Sequence, residues 1–291
     1  MTLVPTSRKR RRSRLDRRPW GVYAILLVMM LLFTFPVYYL IVGSFETPAQ
    51  TLDGLRGAAP TSLTLANYHS LSQVFFSQTI TGTLKGFYTV SSLVSLLVVG
   101  GGLFVNSLAG YGLARLQFKG RRTLLLLVIV LVIIPFEAIA VPLYYMLSGL
   151  RNTLVVQALP FIGSAFSIYL FYTFFLALPP QLEEAAKIDG AGPWRTFAQI
   201  ILPNAKPAFA SVAILSFIQI WSSYLWPLMM TQSPNVYPLS IAIGNLLRQQ
   251  STPNYGEMFA FGVLLVVPMA VFFIVFQRWF IRSVASLAVK G

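Results

Sequence analysis

The sequence predicts an all-α integral membrane protein with six transmembrane helices and both ends in the cytoplasm, and three observations carry that prediction. First, 56% of its 291 residues are hydrophobic and only 10% are charged, whereas soluble domains are about a quarter charged. Second, the apolar residues gather into separate runs of the ~20 residues that a helix needs to cross the hydrocarbon core, for a mean hydropathy of +0.70. Third, six crossings put all but Arg56, Lys85, Arg151 and Arg248 of the 22 Lys and Arg residues on one side, as the positive-inside rule requires.

Residues 1–20 form a basic arm. Its run Arg8 to Arg18, RKRRRSRLDRR, supplies much of the net charge of +14. Placed directly before an apolar span, it reads as a cytoplasmic anchor facing anionic lipid, so no nucleic-acid partner is expected. The first span covers 21–45 and is read as a retained anchor, since its apolar run is longer than a signal-peptide core and lacks a small-residue cleavage site. Residues from Glu46 to Gly82 are polar, with one short helix expected around Leu65 to Phe76; His69 there is a lone surface histidine.

The second span, 86–114, carries Gly100, Gly101 and Gly102, which suit close helix packing. A basic loop from Arg115 to Arg122 follows. The third span, 123–147, meets Pro135 and Pro142, so its second half should be kinked or broken. Glu137 is the one acidic residue inside an apolar span, which costs roughly 2.5–3.5 kcal/mol on insertion scales. Two readings stand side by side: a structural glutamate beside a broken helix, or a group lining a solute path. The fourth span, 153–178, has aromatic residues from Phe161 to Phe175 for packing and lipid contact.

Residues 180–203 are the polar interruption. Pro179 and Pro180 end the preceding helix, a short helix over LEEAAKI follows, Gly190 stops it, and Gly192 and Pro193 open a second helix that Pro203 closes. Leu182, Ala185 and Ala186 share one face, with Glu183, Glu184 and Lys187 turned elsewhere. A small-faced helix of this kind docks into a groove on a partner, with Glu184 offered to an arginine; an ordinary connecting turn is the other reading. The fifth span, 207–230, starts with small residues and then presents Gln219, Ser222, Ser223 and Trp226 on one face. Amides, hydroxyls and aromatic rings bind sugars, and they also make interhelical hydrogen bonds. The sixth span is 258–280, and 281–291 is a cytoplasmic tail.

Several classes of chemistry find no residues to support them. There is no cysteine and a single histidine, so neither thiol chemistry nor a metal site is expected. No nucleophile–base constellation lies within the spans, so no catalytic residue is assigned. No GxxxxGK[ST] pattern occurs, so nucleotide must bind elsewhere. A self-sufficient secondary transporter would need more intramembrane charge than Glu137.

The run Glu184-Ala185-Ala186 with Gly190, behind ProPro and ahead of IDGAGPWRTFAQIILPNAKPA, resembles the EAA loop of binding-protein-dependent ABC transporter permeases of the carbohydrate-uptake, maltose-type (MalG-like) family. NYHSL at Asn67 to Leu71, LAGYGLARLQFKG at Leu108 to Gly120, VPLYYMLSGLRNT at Val141 to Thr153 and the terminal AVKG agree. The resemblance implies the ABC importer type I permease fold over 21–291. It further implies a bacterial or archaeal inner-membrane location, a second homologous permease, a cytoplasmic ATPase dimer that holds ATP and magnesium, and an extracytoplasmic solute-binding protein.

On that resemblance Glu183, Glu184, Ala185, Ala186, Asp189, Gly190, Trp194 and Phe197 form the ATPase-coupling set, and Lys290 and Gly291 a tail contact. Glu184 would pair with an ATPase arginine, the two alanines would allow close docking, and Gly190 would supply the turn. Glu137, Gln219, Trp221, Ser222, Ser223 and Tyr224 are the candidate translocation path. Here the chain departs from its relatives, which commonly show tryptophan, asparagine and an acid where it has Trp221, Ser222 and Ser223. The expected function is ATP-driven uptake of a sugar by alternating access, without enzymatic activity in this subunit. Glycerol phosphate, a polyol or a compatible solute is the alternative cargo.

Overall fold

The computed structural model describes residues 20–51, 62–74, 83–249 and 254–288, and all regular structure among them is helical. Residues 1–19 of the basic arm and the tail residues Lys290 and Gly291 lie outside the described residues. The chain opens with α1 (Trp20–Gly43), then α2 (Pro48–Thr51) and α3 (Ala66–Val74). The body continues with α4 (Leu84–Arg115), α5 (Arg121–Ile133), α6 (Phe136–Met146), α7 (Leu154–Ile162) and α8 (Ala165–Ala177). The interruption holds α9 (Gln181–Ile188), α10 (Pro193–Thr196), a π-helical turn at Phe197–Ile201 and α11 (Leu202–Asn204). It leads into α12 (Lys206–Trp221), α13 (Leu225–Met230), α14 (Leu239–Gln249) and α15 (Tyr255–Ala288).

Three helices are individually long and apolar enough to cross a membrane: α1, α4 and the Tyr255–Phe280 part of α15. Bent pairs account for the remaining apolar length. The pair α5/α6 turns through 102°, α7/α8 through 41°, and the Pro193–Asn204 segment meets α12 at 77°. The run 123–147 is therefore broken at Pro135, as its prolines lead one to expect, and 153–178 is bent at Gly163. The run 207–230 is interrupted between α12 and α13 at Ser222–Tyr224, the 77° bend falling before it at Ala205.

Local chemistry explains the first two breaks. Pro135 disfavours a helical residue before it and donates no N–H; Ile134 is accordingly extended, and Pro135 itself caps α6. At Gly163 the loose ends are mended by Asn106 of α4, whose Nδ2 donates to the Ile162 carbonyl at 3.0 Å and whose Oδ1 accepts from the Ser164 amide at 3.0 Å. A buried asparagine thus satisfies groups that lipid could not. Gly102 lets α4 approach this break, since a Cβ there would stand 3.3 Å from the Ile162 carbonyl oxygen. Packing is thereby the role of this part of the glycine triplet.

α4 is the central post. It packs against α7 and α8 on one side and α12 on another, α15 lies against α12, and α1 touches the rest through α15. At one end of the bundle Tyr111, Phe171, Phe175, Phe197, Ile201, Ala205 and Val212 form a continuous buried cluster. The ring pairs Phe171–Phe175 and Tyr111–Phe197 stand 5.7 and 5.0 Å apart, spacings at which aromatic pairs add to burial. That end also carries the basic residues Arg115, Arg121, Arg195 and Lys206. Arg121 is the first residue of α5 rather than a loop residue, and it donates to the Leu113 and Ala114 carbonyls at 2.7 and 3.0 Å, covering the open end of α4.

Candidate functional site

Two polar regions stand out from the apolar bundle, one at its basic end and one between the helix breaks. The first is the α9–α11 loop. Glu183 and Glu184 lie in the first turn of α9 and Lys187 in its last, which matches the helix dipole at both ends. Its end is a full Schellman turn: the Ala191 amide donates to the Ala186 carbonyl at 2.9 Å, the Gly190 amide to Lys187 at 3.0 Å, and Gly190 holds φ +76°. Only glycine takes that conformation without penalty.

The buried side of α9 differs from the expected one. Ala186 is buried, Leu182 and Glu183 are half-buried, and Glu184, Ala185, Lys187 and Asp189 are exposed. Ala185 and Ala186 thus part company, and Glu183 turns inward because a cation waits there. Arg115, at the end of α4, lies with its Nε 3.5 Å from Glu183 Oε1. The same guanidinium donates to the Phe175 carbonyl at 3.1 and 2.6 Å and to Leu178 at 2.6 Å. One side chain therefore ties α4, the end of α8 and the loop helix together. Its partner carbonyls belong to the last turn of a helix, where a cation is favoured.

Beyond Gly190 the tip is exposed: Trp194 shows 63% of its surface and Ile188 87%. Ile188 escaped the sequence reading because it stands among polar residues rather than on the apolar stripe. Phe197, grouped with the coupling residues, is buried against Tyr111 and Phe175 and anchors the loop from inside. Pro203 sits in α11, behind a π turn, and the helical run ends within two residues of it, at Ala205.

The second region is a cavity of about 260 Å³ lined by Phe136, Glu137, Phe161, Gln219, Ser222, Ser223, Tyr224, Leu225 and Trp226. Two helix breaks meet there, Ile134–Pro135 before α6 and Ser222–Tyr224 between α12 and α13. In secondary transporters, discontinuous helices build the solute sites. Glu137 and Gln219 are exposed to this space. Ser222 Oγ donates to the Ile218 carbonyl at 2.7 Å and keeps its acceptor capacity. The wall behind is rigid: Trp226 is wholly buried, its Nε1 donates to the Val156 carbonyl at 2.8 Å, and its ring meets Phe136 edge-on at 5.6 Å.

Of the six residues proposed for a path, five therefore share one cavity. Trp221 is the exception. It is 3% exposed, donates from Nε1 to the Leu265 carbonyl at 3.0 Å and stacks on Phe217 at 5.3 Å. Its role is to join α12 to α15.

Comparison with known proteins gives the frame for both regions. The family described as "Binding-protein-dependent transport system inner membrane component" matches residues 102–286. The arabinooligosaccharides transport system permease protein AraQ of Halalkalibacterium halodurans is 33% identical over 261 residues, covering 88% of this chain and 91% of that protein. The sn-glycerol-3-phosphate transport system permease protein UgpE of Brucella abortus is 27% identical, covering 91% and 95%. Among solved structures, a bacterial ABC transporter involved in the import of the acidic polysaccharide alginate contains a chain with a TM-score of 0.76 at 22% identity, covering 92% of this chain and 98% of that one.

Proposed function

Since the chain belongs to the family of binding-protein-dependent transport system inner membrane components, we propose that it is one permease subunit of an ATP-driven sugar importer. In this reading it crosses the inner membrane six times with both ends in the cytoplasm, α5/α6 and α7/α8 each counting as one bent crossing. A second permease completes the channel, a cytoplasmic ATPase dimer holds the nucleotide, and an extracytoplasmic binding protein delivers the solute. The arabinooligosaccharide relative supports sugar as the cargo.

The observation that carries the coupling role is the build of α9. Its inner side is fastened by Ala186 and the Glu183–Arg115 pair, and Glu184, Ala185, Ile188 and Trp194 are left exposed at the tip. A helix so held moves as one body with α4 and α8. When ATP draws the ATPase dimer together, a force on the tip reaches the membrane helices through Arg115, and the bundle rocks between inward- and outward-open states. Glu184 is the carboxylate free to meet an arginine on the ATPase, and Lys290 and Gly291 would add a tail contact.

Co-purification of the tagged chain in mild detergent, read by mass spectrometry, tests this. Wild type should bring down an ATPase and a second permease. Glu184→Arg should keep the permease, lose the ATPase and abolish ATP-coupled uptake. A chain that purifies alone and still transports in liposomes would refute the reading.

A further inference from the structure

The cavity between the two breaks holds five polar side chains and a single formal charge, the carboxylate of Glu137. No Lys, Arg or His lines it, and among the described residues Glu137 has no ion-pair partner. It stands in the first turn of α6, next to Pro135, where the positive end of the helix dipole favours an anion. Arg151 does not line the cavity; its guanidinium lies over the Tyr144 ring at 4.2 Å.

From this we propose that the solute passing this wall is an uncharged, hydroxyl-rich one, a neutral oligosaccharide, and that Glu137 both binds its hydroxyls and turns away phosphorylated or acidic sugars. The inference rests on the importer reading above. Neutral sugar hydroxyls are donors, and a carboxylate that accepts them makes the stronger, charge-assisted kind of hydrogen bond. Gln219 and the hydroxyls of Ser222, Ser223 and Tyr224 donate and accept in turn, while the Phe136 and Tyr224 rings offer faces for sugar C–H groups.

An anionic solute meets the opposite balance. A phosphate or uronate about 5 Å from the exposed Glu137 carboxylate is disfavoured roughly several-fold, and no cation in the lining offsets it. The volume of about 260 Å³ falls just short of the ~300–1,000 Å³ of complete ligand pockets. Relatives that handle glycerol phosphate, and neighbours in fold that handle alginate, share the bundle without fixing the charge of this wall.

The test uses the complete importer in proteoliposomes. Solute released by heating the binding protein purified from producing cells is split on anion-exchange resin into a neutral and an anionic fraction, and each is offered back. Wild type should take up the neutral fraction with ATP hydrolysis. Glu137→Gln should lower that uptake about tenfold, the difference between a charge-assisted and a neutral hydrogen bond, with the complex intact by size-exclusion chromatography. Uptake of the anionic fraction by wild type, or unchanged uptake by Glu137→Gln, would overturn this inference and leave the importer reading standing. Failure of both fractions to stimulate ATP hydrolysis would bring down the importer reading as well.

Discussion

Glu183 and Glu137 are both glutamates near the start of a short helix, and they are treated in opposite ways. Glu183, 13% exposed, is turned inward onto Arg115, which at 11% exposure also holds the ends of α4 and α8. Glu137 faces open space beside Gln219 with no ion pair among the described residues. The loop invests its polar groups in its own shape and presents a fixed tip. The cavity leaves Glu137 and Gln219 exposed in front of a rigid aromatic wall. In a bundle that is otherwise apolar, a carboxylate ion-paired to a cation that ties several helices marks a joint, and one left exposed to a cavity marks a place kept for a visitor.

The largest break in this contrast comes from removing the joint. Arg115→Ala leaves Glu183 nearly buried without its cation and frees the carbonyls of Phe175 and Leu178. Losing one partner of such a pair costs about 3 kcal/mol, so the unfolding midpoint in detergent should fall by several degrees, with ATP hydrolysis uncoupled from uptake. Arg115→Met combined with Glu183→Leu should recover part of the stability, because no orphan charge remains, yet not the coupling. Glu137→Gln should leave the midpoint where it was. Equal losses of stability at Glu137 and Glu183 would erase the distinction.

A smaller effect sharpens the cavity side. Trp226 lines the cavity but is wholly buried, and its indole N–H is committed to Val156. Trp226→Phe keeps a ring in the wall and leaves a buried carbonyl unpaired, at a cost of about 1–3 kcal/mol. Thermal unfolding should register that cost. The concentration dependence of uptake should move far less than for Glu137→Gln, and the reverse ranking would make Trp226 a contact residue and Glu137 part of the scaffold.

The division between these regions was partly legible in the sequence. Prolines and glycines announced the loop, because Gly190 and Pro193 act through their own backbone preferences and need no distant partner. Period 3.6 gathered Gln219, Ser222, Ser223 and Trp226, and those four still line one cavity although the helix breaks among them. Trp221 was assigned by motif likeness, and the motif does not say which way an indole points; here it points to Leu265. The Arg115–Glu183 pair left no local trace, since it joins segments far apart in the chain that meet only when α4 and α8 pack. The inward turn of Glu183 follows from that packing, and so does the separation of Ala185 from Ala186.

A third carboxylate probes the rule with the smallest expected effect. Glu46, in the turn after α1, is fully buried, and both its side-chain oxygens lack a hydrogen-bond partner. It faces no described cavity, so it should be a cost rather than a site. Burial pushes its carboxyl above the ordinary carboxylate range, which means that the folded state holds the proton more tightly than the unfolded chain does. The penalty is absent at low pH, where both states are protonated. It grows as pH rises past the ordinary value of 4.5 and is complete above the raised one. Glu46→Gln, which mimics the neutral acid, should therefore stabilise the protein by about 1 kcal/mol at neutral pH and by nothing in strong acid, read as unfolding midpoints between pH 4 and 8. Uptake should not change. A loss of uptake without loss of stability would show that Glu46 belongs with Glu137 among the carboxylates left open for a ligand, and that burial without a partner does not by itself separate cost from function in this protein.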